Sequence, residues 1–122
     1  MQDFRKLQVW QKSHRLTLRI FKETEGFPRA EMFGLTSQMR RSASSVGYNI
    51  AEGCGRGTKA DFARFLQMAM GSASELEYQV LLAKDLTYLD KTCYAEFEAG
   101  AQEVKRMLAA LLRKVKSAST DD

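Results

Sequence analysis

The sequence predicts an all-α protein, and within that class an up-and-down antiparallel four-helix bundle. Apolar residues recur at steps of three and four along four long segments, which is the period of one helix face. Short links separate these segments, with Gly and Pro in the first link and several Gly in the second. No alternating strand pattern competes with this interpretation. Because long helices with short links favour such a bundle, we expect one domain over residues 1–116 and a flexible C-terminal tail over residues 117–122.

The first helix is expected over residues 5–24 and is apolar on two sides. One side carries the larger side chains and is assigned to the core, namely Leu7, Trp10, His14, Leu18 and Phe21. The opposite side adds more apolar surface than one bundle face can cover, so we assign it to contacts with another subunit. This part of the predicted interface consists of Val9, Leu16 and Ile20.

Each of the other three helices has an apolar stripe that we expect in the core. The second helix, over residues 33–54, contributes Leu35, Met39, Ala43, Val46 and Ile50. The third opens at a Thr58–Asp61 capping box, extends to residue 86, and contributes Phe62, Phe65, Leu66, Ala69, Ala73, Leu76, Val80 and Ala83. The fourth, capped by Asp90 and ending near residue 116, contributes Phe97, Ala101, Val104, Leu108, Leu111 and Val115.

Six more residues are assigned to subunit contacts because they lie outside these stripes or at their margins. The third helix is apolar nearly all round, and its residues off the stripe are Tyr78, Leu81 and Leu82. On the second helix they are Tyr48, Asn49 and Glu52. A polar side chain at such a margin needs a partner if it is covered, so Asn49 and Glu52 tie helix ends together, bridge subunits or remain solvated.

The charge is distributed unevenly along the chain. Residues 1–64 hold 12 of the 19 Lys and Arg but only 6 of the 15 acids, whereas the remaining residues hold 7 and 9. This asymmetry predicts an anionic partner on one side. We assign nucleic-acid contacts to one flank of the first helix and to basic residues further along, namely Lys12, Arg15, Arg19, Lys22, Arg40, Arg41, Arg56, Lys59 and Arg64. Alternatively, the flank is solvated or paired with acids such as Glu23 and Glu103.

The pattern of polar residues favours neither a catalytic nor a metal site, so we expect no enzyme activity and no cofactor. His14 is the only histidine and favours a packing role, while Glu75 and Glu77 point in different directions from one helix. Cys54 and Cys93 lack zinc-ligand spacing and are expected to be reduced thiols. The chain has neither an apolar run of membrane length nor the pattern of a secretory leader, which predicts a cytoplasmic protein.

The Gly-rich segment over residues 53–59 separates the second and third helices. Its spacing does not match a phosphate-binding GxxxxGK loop, and it follows a helix rather than a strand, so nucleotide hydrolysis is disfavoured. A helix stop before a capped helix is the simpler interpretation. In the alternative, backbone N–H groups at the start of the third helix act with Arg56 and Lys59 to hold a phosphate of a larger partner.

Three stretches resemble the proteins encoded by intervening sequences in bacterial 23S ribosomal RNA genes. They read LQVWQKSHRL at residues 7–16, FGLTSQMRRSASSVGYNIAEG at residues 33–53 and DFARFLQMAMGSASELEYQVLLAKDLTYL at residues 61–89, within a similarity that spans residues 4–112. At two positions the sequence departs from the family: Gly47 replaces a usual Pro and Tyr48 a usual small residue. The resemblance implies a four-helix bundle, commonly in a ring of five. It also implies kinship with the nucleic-acid-binding accessory proteins of diversity-generating retroelements, and it implies no catalytic residue.

Two functions therefore remain as alternatives. The first is a non-enzymatic homo-oligomer, pentameric by resemblance, that binds structured RNA by charge and shape, because most aromatic residues are expected in the core and few are left for base stacking. The second is an adaptor for another protein, for example a reverse transcriptase or another polymerase. Salt separates the two, since phosphate contacts weaken steeply with salt and apolar contacts do not.

Overall fold

The protein is described by a computed structural model over residues 2–119, and this part of the chain contains four long α-helices. They are α1 Gln8–Thr24, α2 Leu35–Cys54, α3 Lys59–Asp85 and α4 Lys91–Ser119. A 3-10 turn, Phe4–Lys6, precedes α1, and a second one, Arg29–Glu31, lies between α1 and α2. None of the helices in residues 2–119 combines the length and the apolar character needed to cross a bilayer.

The fourth helix continues past its predicted end. We expected it to stop near residue 116, but α4 extends to Ser119. The first half of the expected tail is therefore helical, and residues 120–122 lie outside the described residues. The division of the chain into a domain and a flexible tail stays a prediction.

Neighbouring helices run antiparallel. Along α1 and α4, Lys12 pairs with Glu103 and Arg19 with Glu96, so the partner's number falls as the number along α1 rises. The closely packed pairs are successive helices together with α4 and α1. This arrangement confirms the predicted up-and-down four-helix bundle.

The core stripes of α2, α3 and α4 lie where the sequence places them. Every residue predicted for the stripes of α2 and α3 is buried. On α4 the prediction holds except that Leu112 is buried and Leu111 is only half-buried. The core consists of two clusters along the bundle, one around Leu66 and Leu108 and the other around Leu76 and Phe97.

Helix α1 buries the face that we assigned to subunit contacts, and of its predicted core residues only Leu7 and Trp10, both half-buried, pack against the core. Val9 and Ile20, expected at a subunit interface, are only 4% and 0% exposed and lie in the core of their own chain. Leu16 also packs against this core. In contrast, Leu18 and Phe21, expected in the core, are exposed. The assignment of Val9, Leu16 and Ile20 to a subunit interface is therefore wrong.

The polar groups on the two faces of α1 differ in kind. Trp10 and His14 carry N–H donors that would need partners inside a core, whereas Val9 and Ile20 carry none. The buried face does include Thr24, whose hydroxyl donates to the carbonyl oxygen of Ile20 at 2.7 Å within the same helix. It also includes Ser13, whose buried hydroxyl has no hydrogen-bond partner among the described residues, so the inward face is not free of unsatisfied polarity.

Local sequence signals end the helices as expected. The Thr58 hydroxyl accepts the Asp61 N–H at 3.1 Å, and the Asp90 carboxylate accepts the Cys93 N–H at 2.7 Å, which confirms the predicted caps of α3 and α4. Helix α3 ends at Asp85, and two residues later Thr87 has a φ of 66°, in the left-handed region that usually requires Gly.

Candidate nucleic-acid interface

Two of the four basic residues predicted on the flank of α1 form ion pairs with acids of α4. The Lys12 ammonium lies 2.6 Å from the Glu103 carboxylate, and the Arg19 guanidinium lies 2.5 Å from Glu96. The hydrogen bond from Lys12 lowers the pKa of Glu103, and the hydrogen bond to Glu96 raises the pKa of Arg19. Arg15 and Lys22 are exposed on the same helix. Lys12 and Arg19 therefore hold the α1–α4 seam together, which reduces the charge that the flank can offer to a ligand.

The two basic residues of α2 point to different sides of the helix. Arg40 donates to the Thr24 hydroxyl at 2.8 Å and to the Phe21 carbonyl oxygen at 3.2 Å, and thereby caps the C-terminal end of α1. Arg41 lies in a polar groove between α2 and α3, where Ser72 donates to the Ser45 hydroxyl at 2.9 Å. The nine predicted contact residues thus do not form one continuous surface.

The basic residues around the α2–α3 turn do come together. Arg56 and Arg64 lie over the ring of Phe65, with guanidinium-to-centroid distances of 4.9 and 4.5 Å. Their carboxylate partners are weakly placed, Glu52 at 3.8 Å from Arg56 and Asp61 at 3.6 Å from Arg64. Because Phe65 is buried, its ring holds both guanidinium groups at the start of α3.

The antiparallel topology places both ends of the chain near this turn, and both ends carry basic residues. The Gln2 N–H donates to the Cys54 carbonyl oxygen at 3.2 Å, which brings the N-terminal segment beside the end of α2. Lys116 of α4 lines a shallow groove with Arg64 of α3. Eight exposed cations therefore gather at one end of the bundle, which we call the basic end: Arg5, Lys6, Arg56, Lys59, Arg64, Arg113, Lys114 and Lys116.

Few acids offset these cations. Among the described residues the acids at the basic end are Asp3, Glu52 and Asp61, which leaves a net charge of +5 from eight cations and three acids. Three of the eight, Arg56, Lys59 and Arg64, were predicted from the sequence. The other five were not, because the charge distribution along the chain does not show which residues the fold brings together. An antiparallel bundle places the N-terminus, the α2–α3 turn and the C-terminus at the same end, so the predicted fold already contained this signal.

A groove between α1 and α2 exposes aromatic rings that we expected to be buried. This aromatic groove, with a volume of about 420 Å³, is lined chiefly by Phe4, Trp10, His14, Leu18, Phe21 and Tyr48. Elsewhere Phe33 is 93% exposed and Tyr78 63% exposed. The expectation that most aromatic residues lie in the core is therefore wrong, mainly because α1 turns its aromatic side outward.

The remaining predicted interface residues fall into three groups. Tyr48, Tyr78 and Leu81 are exposed, as a contact surface requires. Leu82 instead packs against the core. The two polar residues have partners in their own helix: the Asn49 amide donates to the Ser45 carbonyl oxygen at 2.8 Å, and Glu52 pairs with Arg56.

The titratable groups do not form an activated site. Cys54 and Cys93 are both buried. Burial raises the pKa of both thiols, that of Cys93 to about 11, so the thiolate form is disfavoured near neutral pH. Over the described residues, no three His, Cys, Asp or Glu side chains are placed to share a metal ion.

Comparison with known proteins identifies the family. The model of the 23S rRNA-intervening sequence protein family matches residues 5–110. The chain belongs to this family. A crystal structure of a protein of unknown function from the S23 ribosomal protein family of Bacteroides thetaiotaomicron VPI-5482 superimposes with a TM-score of 0.79, at 26% identity over 86% of this chain and 95% of that one. No curated protein matches the sequence.

Proposed function

We propose that this intervening-sequence protein is a non-enzymatic homo-oligomer that binds structured RNA through its basic end. The observation that supports the proposal is the excess, among the described residues, of eight exposed cations over three acids at one end of the bundle. Such an excess attracts a phosphate backbone without requiring base contacts, and the released counterions make the binding sensitive to salt. The family description links the proteins of this family to ribosomal RNA genes, which makes RNA the first ligand to test.

The geometry of the basic end suits a folded polyanion. Its width is that of two packed helices, about 20 Å, so it can reach several phosphates at once. Arg56 and Arg64 are held in place by Phe65, which limits the side-chain entropy that binding removes. Arg113 and Lys114 project from the last turns of α4 and widen the same surface.

We place the subunit contact of the homo-oligomer on the outer surface of α3. Tyr78 and Leu81 are exposed there, 63% and 39%, although both are apolar enough to be expected inside an interface. The count of five subunits is implied by the family resemblance alone. A ring would repeat the basic end around its axis, so that weak phosphate contacts add through multivalency. Light scattering should give a mass several times 13.8 kDa, reduced by Tyr78→Ala, whereas a monomeric wild type would refute the proposal.

A salt series with matched charge reversals tests RNA binding. Filter binding to a structured RNA compares Arg113→Glu/Lys114→Glu, at the basic end, with Arg29→Glu/Lys91→Glu, at the opposite end. Both variants change the net charge equally and alter exposed side chains. We expect only the first to weaken binding and to flatten the slope of log K against log salt, by about 0.7 to 0.9 for each phosphate that the variant no longer neutralises.

Other results would redirect the proposal. Equal slopes for both variants would remove the basic end and leave the flank of α1, which Arg15→Glu/Lys22→Glu then tests, since both side chains are exposed. Affinity that does not respond to salt would contradict phosphate binding and favour the adaptor function.

A further inference from the structure

The aromatic groove contains a continuous row of rings. The ring centroids of Phe4 and Trp10 lie 4.9 Å apart at an angle of 63°, and those of Trp10 and His14 lie 4.8 Å apart at 10°. Tyr48 of α2 lines the same groove and is 73% exposed. Most of the Tyr48 side chain is therefore exposed to solvent.

Cations stand near both ends of this groove. The guanidinium of Arg5 lies 4.7 Å from the centroid of Phe4, and that of Arg40 lies 5.1 Å from the centroid of Phe21. Arg5 also pairs with the Asp3 carboxylate at 3.3 Å, but among the described residues that line the groove none is an Asp or a Glu. Since Arg5 belongs to the basic end, a chain of phosphates bound there can continue into the groove.

We propose that the aromatic groove binds unpaired bases of the RNA, which stack on its rings while the adjoining phosphates meet Arg5 and Arg40. This inference rests on the proposed RNA binding and adds a base-stacking site to it. Flat rings flanked by cations are the arrangement by which proteins hold single strands without reading their sequence. From Gln8 to Phe21 the groove follows α1 for about 20 Å, enough for a few nucleotides. In a structured RNA, such bases occur in loops and bulges.

The single tryptophan makes the proposal measurable, because Trp10 lies in the groove and reports on stacking by its fluorescence. The wild-type protein is titrated with oligoadenylate and with an abasic ribose-phosphate oligomer of the same length. We expect the oligoadenylate to quench Trp10 and to bind more tightly, whereas the abasic oligomer binds by charge alone and leaves the emission unchanged.

Variants at Tyr48 separate stacking from charge. Tyr48→Ala should weaken oligoadenylate binding by about 5- to 150-fold and leave binding of the abasic oligomer unchanged. Tyr48→Phe keeps the ring and should bind like the wild type. Phe33→Ala removes an even more exposed ring at the opposite end of the bundle and should also have no effect.

Three results would overturn the inference. Equal binding of both oligomers without quenching would exclude base stacking while leaving RNA binding by charge intact. Failure of both oligomers to bind a protein that still binds structured RNA would reject the groove alone, whereas failure of the structured RNA to bind as well would reject the proposed function. If Tyr48→Ala lowers the oligomer mass in light scattering and leaves the affinity for oligoadenylate unchanged, the groove is a contact between copies of this chain.

Discussion

The two ends of the bundle are built from the same parts, helix termini and short turns, yet they differ in charge. Within residues 2–119, the basic end carries eight cations against three acids. The opposite end, which we call the balanced end, carries five of each: Lys22, Arg29, Arg40, Lys84 and Lys91 with Glu23, Glu25, Glu31, Asp85 and Asp90. Both ends are closed by a well-packed core cluster. The excess charge is thus not a requirement of the fold, which is why we interpret it as a binding surface.

Several charges at the balanced end are used within the chain. Glu31 accepts hydrogen bonds from the Tyr88 hydroxyl at 2.9 Å and from the Leu35 N–H at 3.2 Å. Lys84 lies 3.7 Å from Asp85 and over the ring of Tyr94. These contacts join the turns to the helices. At the basic end Arg5, Arg56 and Arg64 likewise pair with Asp3, Glu52 and Asp61, so the two ends differ in the number of cations and acids rather than in whether charges are paired.

The largest effects should come from the cores, which we expect to be equivalent at the two ends. Leu108→Ala removes a buried side chain from the cluster nearer the basic end, and Leu76→Ala does so nearer the balanced end. Each should lower the free energy of unfolding by about 2–5 kcal/mol in a single cooperative transition. Urea unfolding followed by circular dichroism measures this. Two separate transitions would show that the ends are not one folding unit. A midpoint that hardly moves would contradict the core position of the substituted leucine.

Two glycines distinguish a packed position from an open one. A Cβ on Gly53, at the basic end, would lie 2.9 Å from a ring carbon of Phe62 and 3.0 Å from the Cβ of Phe65, so Gly53→Ala should destabilise by about 1–3 kcal/mol. A Cβ on Gly71, in the middle of α3, would meet nothing within 4 Å. Gly71→Ala should therefore stabilise the helix by about 0.5–1 kcal/mol. Thermal unfolding of both variants checks the signs, and equal shifts would contradict the close packing at Gly53.

A smaller effect is expected at an ion pair between the two ends. Hydrogen bonds from Lys105, at 2.9 Å, and Gln102, at 3.0 Å, lower the pKa of Glu77 below its ordinary 4.5. The unfolded chain then binds this proton more readily, so the pair stabilises the fold above about pH 4.5 and loses its effect as the pH falls below that value. Glu77→Gln should lower stability by about 0.2–1 kcal/mol at pH 7.

The pH dependence is the check on this ion pair. Urea unfolding at pH 7 and near pH 3 should show the difference between the wild type and Glu77→Gln shrinking in acid. The exposed Glu75 provides the control, since Glu75→Gln should change little at either pH. A difference between wild type and Glu77→Gln that grows in acid would show that the sign of this pKa effect is wrong.

The buried face was predicted correctly for the helices that have one clear apolar stripe, and incorrectly for the helix that is apolar on two sides. On α2 and α3 the periodicity left one choice, and every stripe residue is buried. On α1 both faces are apolar, so periodicity alone does not show which of them turns inward, and the assignment of Val9 and Ile20 to an interface was wrong.

The candidate site was harder to predict because it depends on tertiary structure. Arg5 and Lys114 are far apart in sequence and lie at the same end of the bundle only because the fold brings the two ends of the chain together. Conversely, Lys12 and Arg19 looked available on a single helix but bind acids of α4. Charge patterns along one helix do not reveal partners on another, whereas the topology does.

The most direct test compares the lysines of the two ends in the wild-type protein. Limited acetylation with and without a bound structured RNA, followed by mass spectrometry, reports the accessibility of each amine. We predict that RNA protects Lys6, Lys59, Lys114 and Lys116 at the basic end and leaves Lys84 and Lys91 at the balanced end unprotected. Equal protection at the two ends, or stronger protection at the balanced end, would contradict the central claim that the basic end is the RNA-binding surface.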